Sequence, residues 1–373
     1  MGETISAQSL SFPTPYPWRR RAVGLIFLAL VVALAAAGVA MDRRAPTMAP
    51  ASGGGSDALF YRQVIDDLAK GRSYYEAAPA QMRKDRFPLR PFVTVRPPLL
   101  AVSLARLPNE VARRAALIAL AVAVMLAWGL RLRPLWRAEP LGYGFAMLLL
   151  FSGVSPDLAP NAYLFHETWA ALLIALSLAL RQPDRFLTSL ILGLIAALLR
   201  ELAIPFLLVM AALAALEGRR REALAWTAAM AAAALALAAH AMMVAQVTSL
   251  ADRPSPGWTR LGGWAFVLKT TQWNLIVAAA PALLAPILAT PALFGLFGLK
   301  GALARRTALT VFGYAGLFCI VGRPENFYWG LMIAPLWPLG LVGVWDAAKA
   351  LAAGHPPPIL RTLKGLEAWD GAP

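Results

Sequence analysis

The sequence predicts an all-α, polytopic protein of about ten membrane-spanning helices, and three observations carry that expectation. Of its 373 residues, 59% are hydrophobic and only 15% are charged, with a mean hydropathy of +0.60. A soluble domain carries about a quarter charged residues, so the apolar excess needs a solvent other than water. Many apolar runs approach the ~20 residues that a helix needs to cross a ~30 Å hydrocarbon core. The basic residues behind the net charge of +15 fall in short clusters between those runs, where orientation signals belong. That distribution argues against nucleic acid as a partner and for membrane lipids.

Arg19, Arg20 and Arg21 precede an apolar run at 22–41. A cleaved signal peptide has an apolar region of only about 7–15 residues, so this run is expected to stay as the first span. With basic clusters taken as cytoplasmic, residues 42–108 form a long outer loop containing short amphipathic helices. Spans are expected near 111–130, 141–154 and 168–180, with Arg131, Arg133, Arg137, Arg181 and Arg185 on the inner side. The run 186–216 is interrupted by Arg200 and Glu201, with Pro205 soon after. Read as one helix, it would put Arg219, Arg220 and Arg221 outside; read as two short helices meeting near Arg200, it keeps them inside. The broken hairpin is therefore expected, its turn lining a protein cavity because bare lipid would not tolerate it.

Further spans are expected near 223–244, 274–299, 308–321 and 331–348, the second of these kinked by Pro281, Pro286 and Pro291. Lys300, Arg305 and Arg306 serve as inner-side markers. The chain divides into a cytoplasmic tail 1–21, a transmembrane domain 22–351 and a cytoplasmic tail 352–373. The expected setting is a bacterial-type inner membrane with both termini cytoplasmic. Cys319 stands alone, so no intrachain disulfide can form.

The loop 42–108 breaks the positive-inside rule, with Arg62, Lys70, Arg72, Arg83, Lys84, Arg86, Arg90, Arg96 and Arg106. Long loops cross regardless of charge. Contact with anionic headgroups accounts for such charges, and so does a pocket for a lipid-linked phosphate, which arginine grips with two donors. His166, Glu167, Arg200, Glu201, Arg323, Glu325 and Asn326 also fall on the outer side. Ionisable groups at membrane depth face a cavity or one another. Outer-side aromatics, including Tyr74, Tyr75, Trp258, Trp264, Trp273, Tyr328 and Trp329, fit an interfacial belt or sugar stacking. No second His or Cys is spaced to make His166 a metal ligand, no nucleotide-binding glycine motif is present, and no cofactor is expected.

The order of these features resembles the GT-C glycosyltransferases. An early Asp and Tyr after the first span, here Asp57 and Tyr61, are followed by Gly71 and Tyr74-Tyr75. Arg96-Pro97-Pro98-Leu99-Leu100 then leads to the second span, Glu167 opens a helix, Arg200-Glu201 interrupts another, and Arg323 lies near the end. The resemblance implies transfer of a sugar from a polyprenyl-phosphate donor to a glycan, lipid or protein acceptor, with inversion, on the outer face. It implies that Asp57 is the general base. Tyr61, Arg96, Glu167, Arg200, Glu201, Arg323 and Glu325 would serve the substrate and its phosphate. Many relatives carry two adjacent acidic residues here, which makes Asp66 and Asp67 rivals to Asp57. Two other readings stay open: a transporter or flippase of lipid-linked or anionic solutes, and a non-catalytic envelope-assembly subunit.

Overall fold

In the computed structural model the described residues are 29–38, 57–134, 139–257, 261–279 and 284–353; they form helices, with β-structure limited to isolated bridges. Arg19–Arg21, the glycines before Asp57, Trp258, Pro281 and residues 354–373 lie outside the described residues.

α1 (Ala29–Gly38) is followed by three short helices in the segment before the next long one: α2 (Asp57–Ala69), α3 (Tyr74–Lys84) and α4 (Leu99–Ala105). Asp57 sits in the first turn of α2, where a carboxylate meets the positive end of the helix dipole. Phe60, Val64 and Ile65 bury one face of α2 against α3 and α4. Gly71 turns the chain between α2 and α3 at φ 90°, a left-handed conformation that favours glycine. Glu76 holds the start of α3 by accepting a hydrogen bond from the Ser73 amide (3.4 Å).

Then come α5 (Glu110–Arg131) and α6 (Pro140–Val154), the latter continued as a 3-10 turn over Ser155–Leu158. α7 (His166–Leu180), α8 (Leu187–Leu199), α9 (Ile204–Leu216) and α10 (Arg220–Val247) follow, and α7 is buried around almost its whole circumference. α11 (Gly263–Thr270), α12 (Leu275–Ala279), α13 (Leu284–Gly295), α14 (Gly301–Ile320) and α15 (Gly340–Ala352) complete the described chain. α7 lies along α5 and α8, α9 lies against α10 and α14, and α10 also touches α3.

Among the described residues, three helical stretches are long and apolar enough to cross a membrane: Glu110–Arg131, Pro140–Leu158 and Arg220–Val247. They carry exposed large apolar side chains such as Leu126, Leu130, Leu141, Leu148, Leu224 and Leu235. An apolar surface of that extent is costly in water and costs nothing in lipid. The shorter apolar helices include Ala29–Gly38, His166–Leu180, Leu187–Leu199 and Glu201–Leu216.

The run 186–216 is broken at Arg200, whose backbone leaves the helical region at φ −148° and ψ 115° before a 3-10 turn over Glu201–Ala203. The 13 residues of α8 span about 20 Å, short of a ~30 Å core. Two expected continuous helices differ. Residues 274–299 form α12 and α13, ending in a 3-10 turn at Leu296–Gly298. The last span is replaced by a 3-10 helix at Pro324–Ile333 that meets Trp337–Ala352 at 66°. Pro335 and Pro338, which lack the amide donor that a continuous helix needs, fall at this bend. α13 and α15 approach backbone to backbone: a Cβ on Gly340 would collide with the Ala292 carbonyl oxygen.

Candidate functional site

Asp57 and Tyr61 are one turn apart on α2 and share a face. Arg96 precedes the Pro97-Pro98 start of α4, and its carbonyl is fixed by the Tyr74 hydroxyl, which donates at 2.6 Å. The Arg96 guanidinium donates from Nη2 to Tyr328 Oη (3.1 Å) and lies 4.0 Å from Glu167 Oε1. Glu167, in the first turn of α7, accepts from Arg200 Nε at 2.7 Å, and Arg200 also pairs with its neighbour Glu201. The Tyr61 ring rests against His166, with centroids 5.4 Å apart. Residues from α2, the 96–98 turn, the start of α7, the broken hairpin and the 3-10 helix at 324–333 thus meet in one cluster.

Among the described residues, no hydrogen bond or ion pair engages the Asp57 carboxylate. Asp57 is exposed at its surface, yet protein around its other sides removes enough water to raise its pKa above the ordinary 3.8. Arg96 opposes that rise, and Glu167 adds to it. Asp57 is thus open to solvent on one side and partly desolvated by protein on the other. Desolvation likewise pushes the Tyr61 phenol up to about 12, against the pull of Arg96, so Tyr61 stays a neutral donor at pH 7. The cluster therefore offers an unpaired carboxylate, a phenol and a guanidinium with 17% of its side chain exposed. Arg200, only 1% exposed, is already matched by two carboxylates. That makes Arg96 the more available cation and Arg200 the tie between α7 and the hairpin.

Asp66 lies nine residues beyond Asp57, on the opposite side of α2. It pairs with Arg113 (3.5 Å), and Asp67 pairs with Arg72 (2.8 Å). Both line a separate polar pocket with Gln63, Lys70 and Lys84. Arg323 Nε stands 3.9 Å from Glu325 Oε2 and 3.5 Å from Asn326 Oδ1. These contacts are local to the turn that carries Tyr328, and none described joins Arg323 or Glu325 to Arg96 or Glu167.

A second buried charge layer occupies the other end of α7. Arg181 donates from Nε and Nη2 to Glu222 (2.9 and 2.6 Å) and approaches Glu217 (3.5 Å). Glu217 also takes Arg305 and Arg306, the latter with Nη1 at 2.8 Å. Of the expected inner-side markers, Arg181, Arg305 and Arg306 are buried in an ion-pair network between helices, whereas Lys300 stays exposed. Sequence reading missed this pairing; its signal was the two glutamates lodged within a basic cluster. It also placed Tyr328 in an aromatic belt, whereas its hydroxyl accepts from Arg96. Trp273 stacks on Phe327 (5.5 Å). Among the described residues, no three His, Cys, Asp or Glu side chains are grouped as metal ligands. No protein-family model, curated protein or solved structure matches the chain.

Proposed function

We propose that this chain is a membrane glycosyltransferase of about ten spans that moves a sugar from a polyprenyl-phosphate donor to a glycan, lipid or protein acceptor on the outer face. The observation that carries the reading is the meeting of the unpaired Asp57 carboxylate with Tyr61, Arg96 and Glu167. A base and a cation in one cluster are the two groups that sugar transfer from a phosphodiester requires.

In this mechanism Asp57 takes the proton of the acceptor hydroxyl as its oxygen forms a bond to the anomeric carbon. The bond from that carbon to the phosphate oxygen breaks, and its electron pair leaves with polyprenyl phosphate. A single in-line displacement inverts the anomeric centre. Arg96 balances the charge that builds on the leaving phosphate, with the neutral Tyr61 phenol and the Tyr328 hydroxyl beside it. Glu167 orients Arg200 and Arg96. Arg323 and Glu325 are candidates for later contacts of the donor.

The test is release of polyprenyl phosphate when the purified protein meets a panel of polyprenyl-phosphate sugars and acceptors. Turnover supports the reading; lipid binding without turnover across the panel overturns it. A transporter of lipid-linked or anionic solutes is the second reading, favoured by the hairpin broken at Arg200. Counterflow in proteoliposomes without sugar transfer would support it instead.

A further inference from the structure

The last turns of α10 and the chain at 89–92 line an open, largely apolar pocket of about 490 Å³, walled by Leu89, Phe92, Ala241, Val244 and Ala245. Glu222, held in the buried charge layer, and Val244 stand about 33 Å apart along α10 at ~1.5 Å per residue. That is close to the thickness of a ~30 Å hydrocarbon core, so with α10 as a span that starts near Glu222 the pocket would fall at the boundary between lipid and headgroups. Met242 and Met243 beside it are exposed.

The mouth of this pocket is basic. Arg90 and Ser255 line it, and Arg253 precedes the lining residue Pro254. The nearby Asp252 is already taken by Arg83 at 2.8 Å. Arg90 gives its Nε to the Asp252 carbonyl (2.9 Å), and Arg253 gives Nη1 to the Arg86 carbonyl (3.0 Å). Backbone carbonyls do not neutralise a guanidinium, and among the described residues no ion pair joins Arg90 or Arg253 to a carboxylate, although Asp252 acts on Arg90 through space. His240, one residue before the pocket-lining Ala241, ties α10 to the chain between the pocket and Arg96. Its Nε2 meets the Val95 carbonyl (2.8 Å), its Nδ1 meets the Tyr75 hydroxyl (3.0 Å), and Phe92 packs on its ring. Since a carbonyl only accepts, Nε2 carries the proton and Nδ1 accepts from Tyr75.

We propose that this pocket is a site for an anionic glycerophospholipid, distinct from the sugar-transfer cluster. An acyl chain fills the space between Phe92 and Val244, and the phosphate rests on Arg90 with Arg253 beside it. An apolar cavity alone takes any hydrophobe, and a basic rim alone takes any anion. Both at the membrane boundary select an amphiphile with an anionic head. The bound lipid would join the chain at 89–92 to α10 and so steady the turn that carries Arg96. The proposal does not depend on the transferase reading.

Thermal unfolding of the full chain in neutral detergent tests it, with added phosphatidylglycerol, phosphatidylcholine or inorganic phosphate. Phosphatidylglycerol should raise the melting temperature at concentrations about tenfold below those at which phosphatidylcholine acts, and inorganic phosphate should have no effect. Ala245→Trp, a change at an exposed wall position that fills the pocket mouth, should weaken the phosphatidylglycerol effect by about tenfold, as should Arg90→Gln combined with Arg253→Gln. Equal effects of the two lipids, a full effect of inorganic phosphate, or an undiminished response in Ala245→Trp would each overturn it.

Discussion

A carboxylate serves as a base only while ionised, so the pKa of Asp57 sets a limit on activity. Its folded value lies above 3.8, chiefly through desolvation. Transfer should therefore fall as pH drops through that raised value, and the acid limb of the kcat/KM profile should lie above pH 3.8. Arg96→Gln removes the charge that opposes the rise and should move the limb further up, a shift that loss of phosphate binding alone would not cause. At Glu167 the stake is stability. Glu167→Gln leaves Arg200 facing Glu201 alone at a 1% exposed site. Breaking a buried pair from one side costs about 3–5 kcal/mol, to be read as a fall in thermal stability larger than that of Asp57→Asn. The sequence pointed to Glu167 and Arg200 because ionisable groups at membrane depth face a cavity or one another, and to Asp57 and Arg96 through the order of motifs that the resemblance rests on. It did not distinguish the roles of Arg96 and Arg200, since that depends on which guanidinium two carboxylates enclose.

Among the elements, the break between α8 and α9 was legible because Arg200 and Glu201 interrupt the apolar run and a single helix would put Arg219, Arg220 and Arg221 on the outer side. The bend after Ile333 was not anticipated, although Pro335 and Pro338 announce it; an apolar run of the right length masked them. Contact between α13 and α15 depends on glycine. Gly340→Ala should destabilise the protein by about 1–3 kcal/mol, because its Cβ meets the Ala292 carbonyl and the helices must part. Gly144→Ala, where a Cβ meets nothing within 4 Å, is the control. The clasp between Arg83 and Asp252 gives a pH test. The hydrogen bond from Arg83 holds the Asp252 carboxyl down at about 2, below its ordinary 3.8. Its stabilisation is then complete above about pH 4 and is lost as pH falls toward 2. The difference in melting temperature between the native chain and Arg83→Gln should shrink over that interval and vanish below it.

At the scale of the whole molecule, buried charge collects at both ends of α7, with apolar helix between. One layer joins Glu167, Arg200 and Arg96; the other joins Arg181, Glu217, Glu222, Arg305 and Arg306. The second layer pairs its charges closely and ties α7, α10 and α14 together, which is a structural role. The first leaves Asp57 unpaired and Arg96 partly open, which is what chemistry needs. The helical, apolar character of the chain was legible from composition alone. The count of about ten spans rests on basic clusters, and length alone supports only the three long stretches.

The most direct test of the central claim compares Asp57→Asn, Asp66→Asn and Asp67→Asn in one assay for polyprenyl phosphate release. Loss of a general base lowers turnover by about 10²–10⁴-fold. Asp57→Asn should show that loss with an unchanged melting profile, while Asp66→Asn and Asp67→Asn, whose carboxylates pair with Arg113 and Arg72, should stay near the native rate. Near-native turnover in Asp57→Asn, with the loss appearing at Asp66 or Asp67 instead, would contradict the site described.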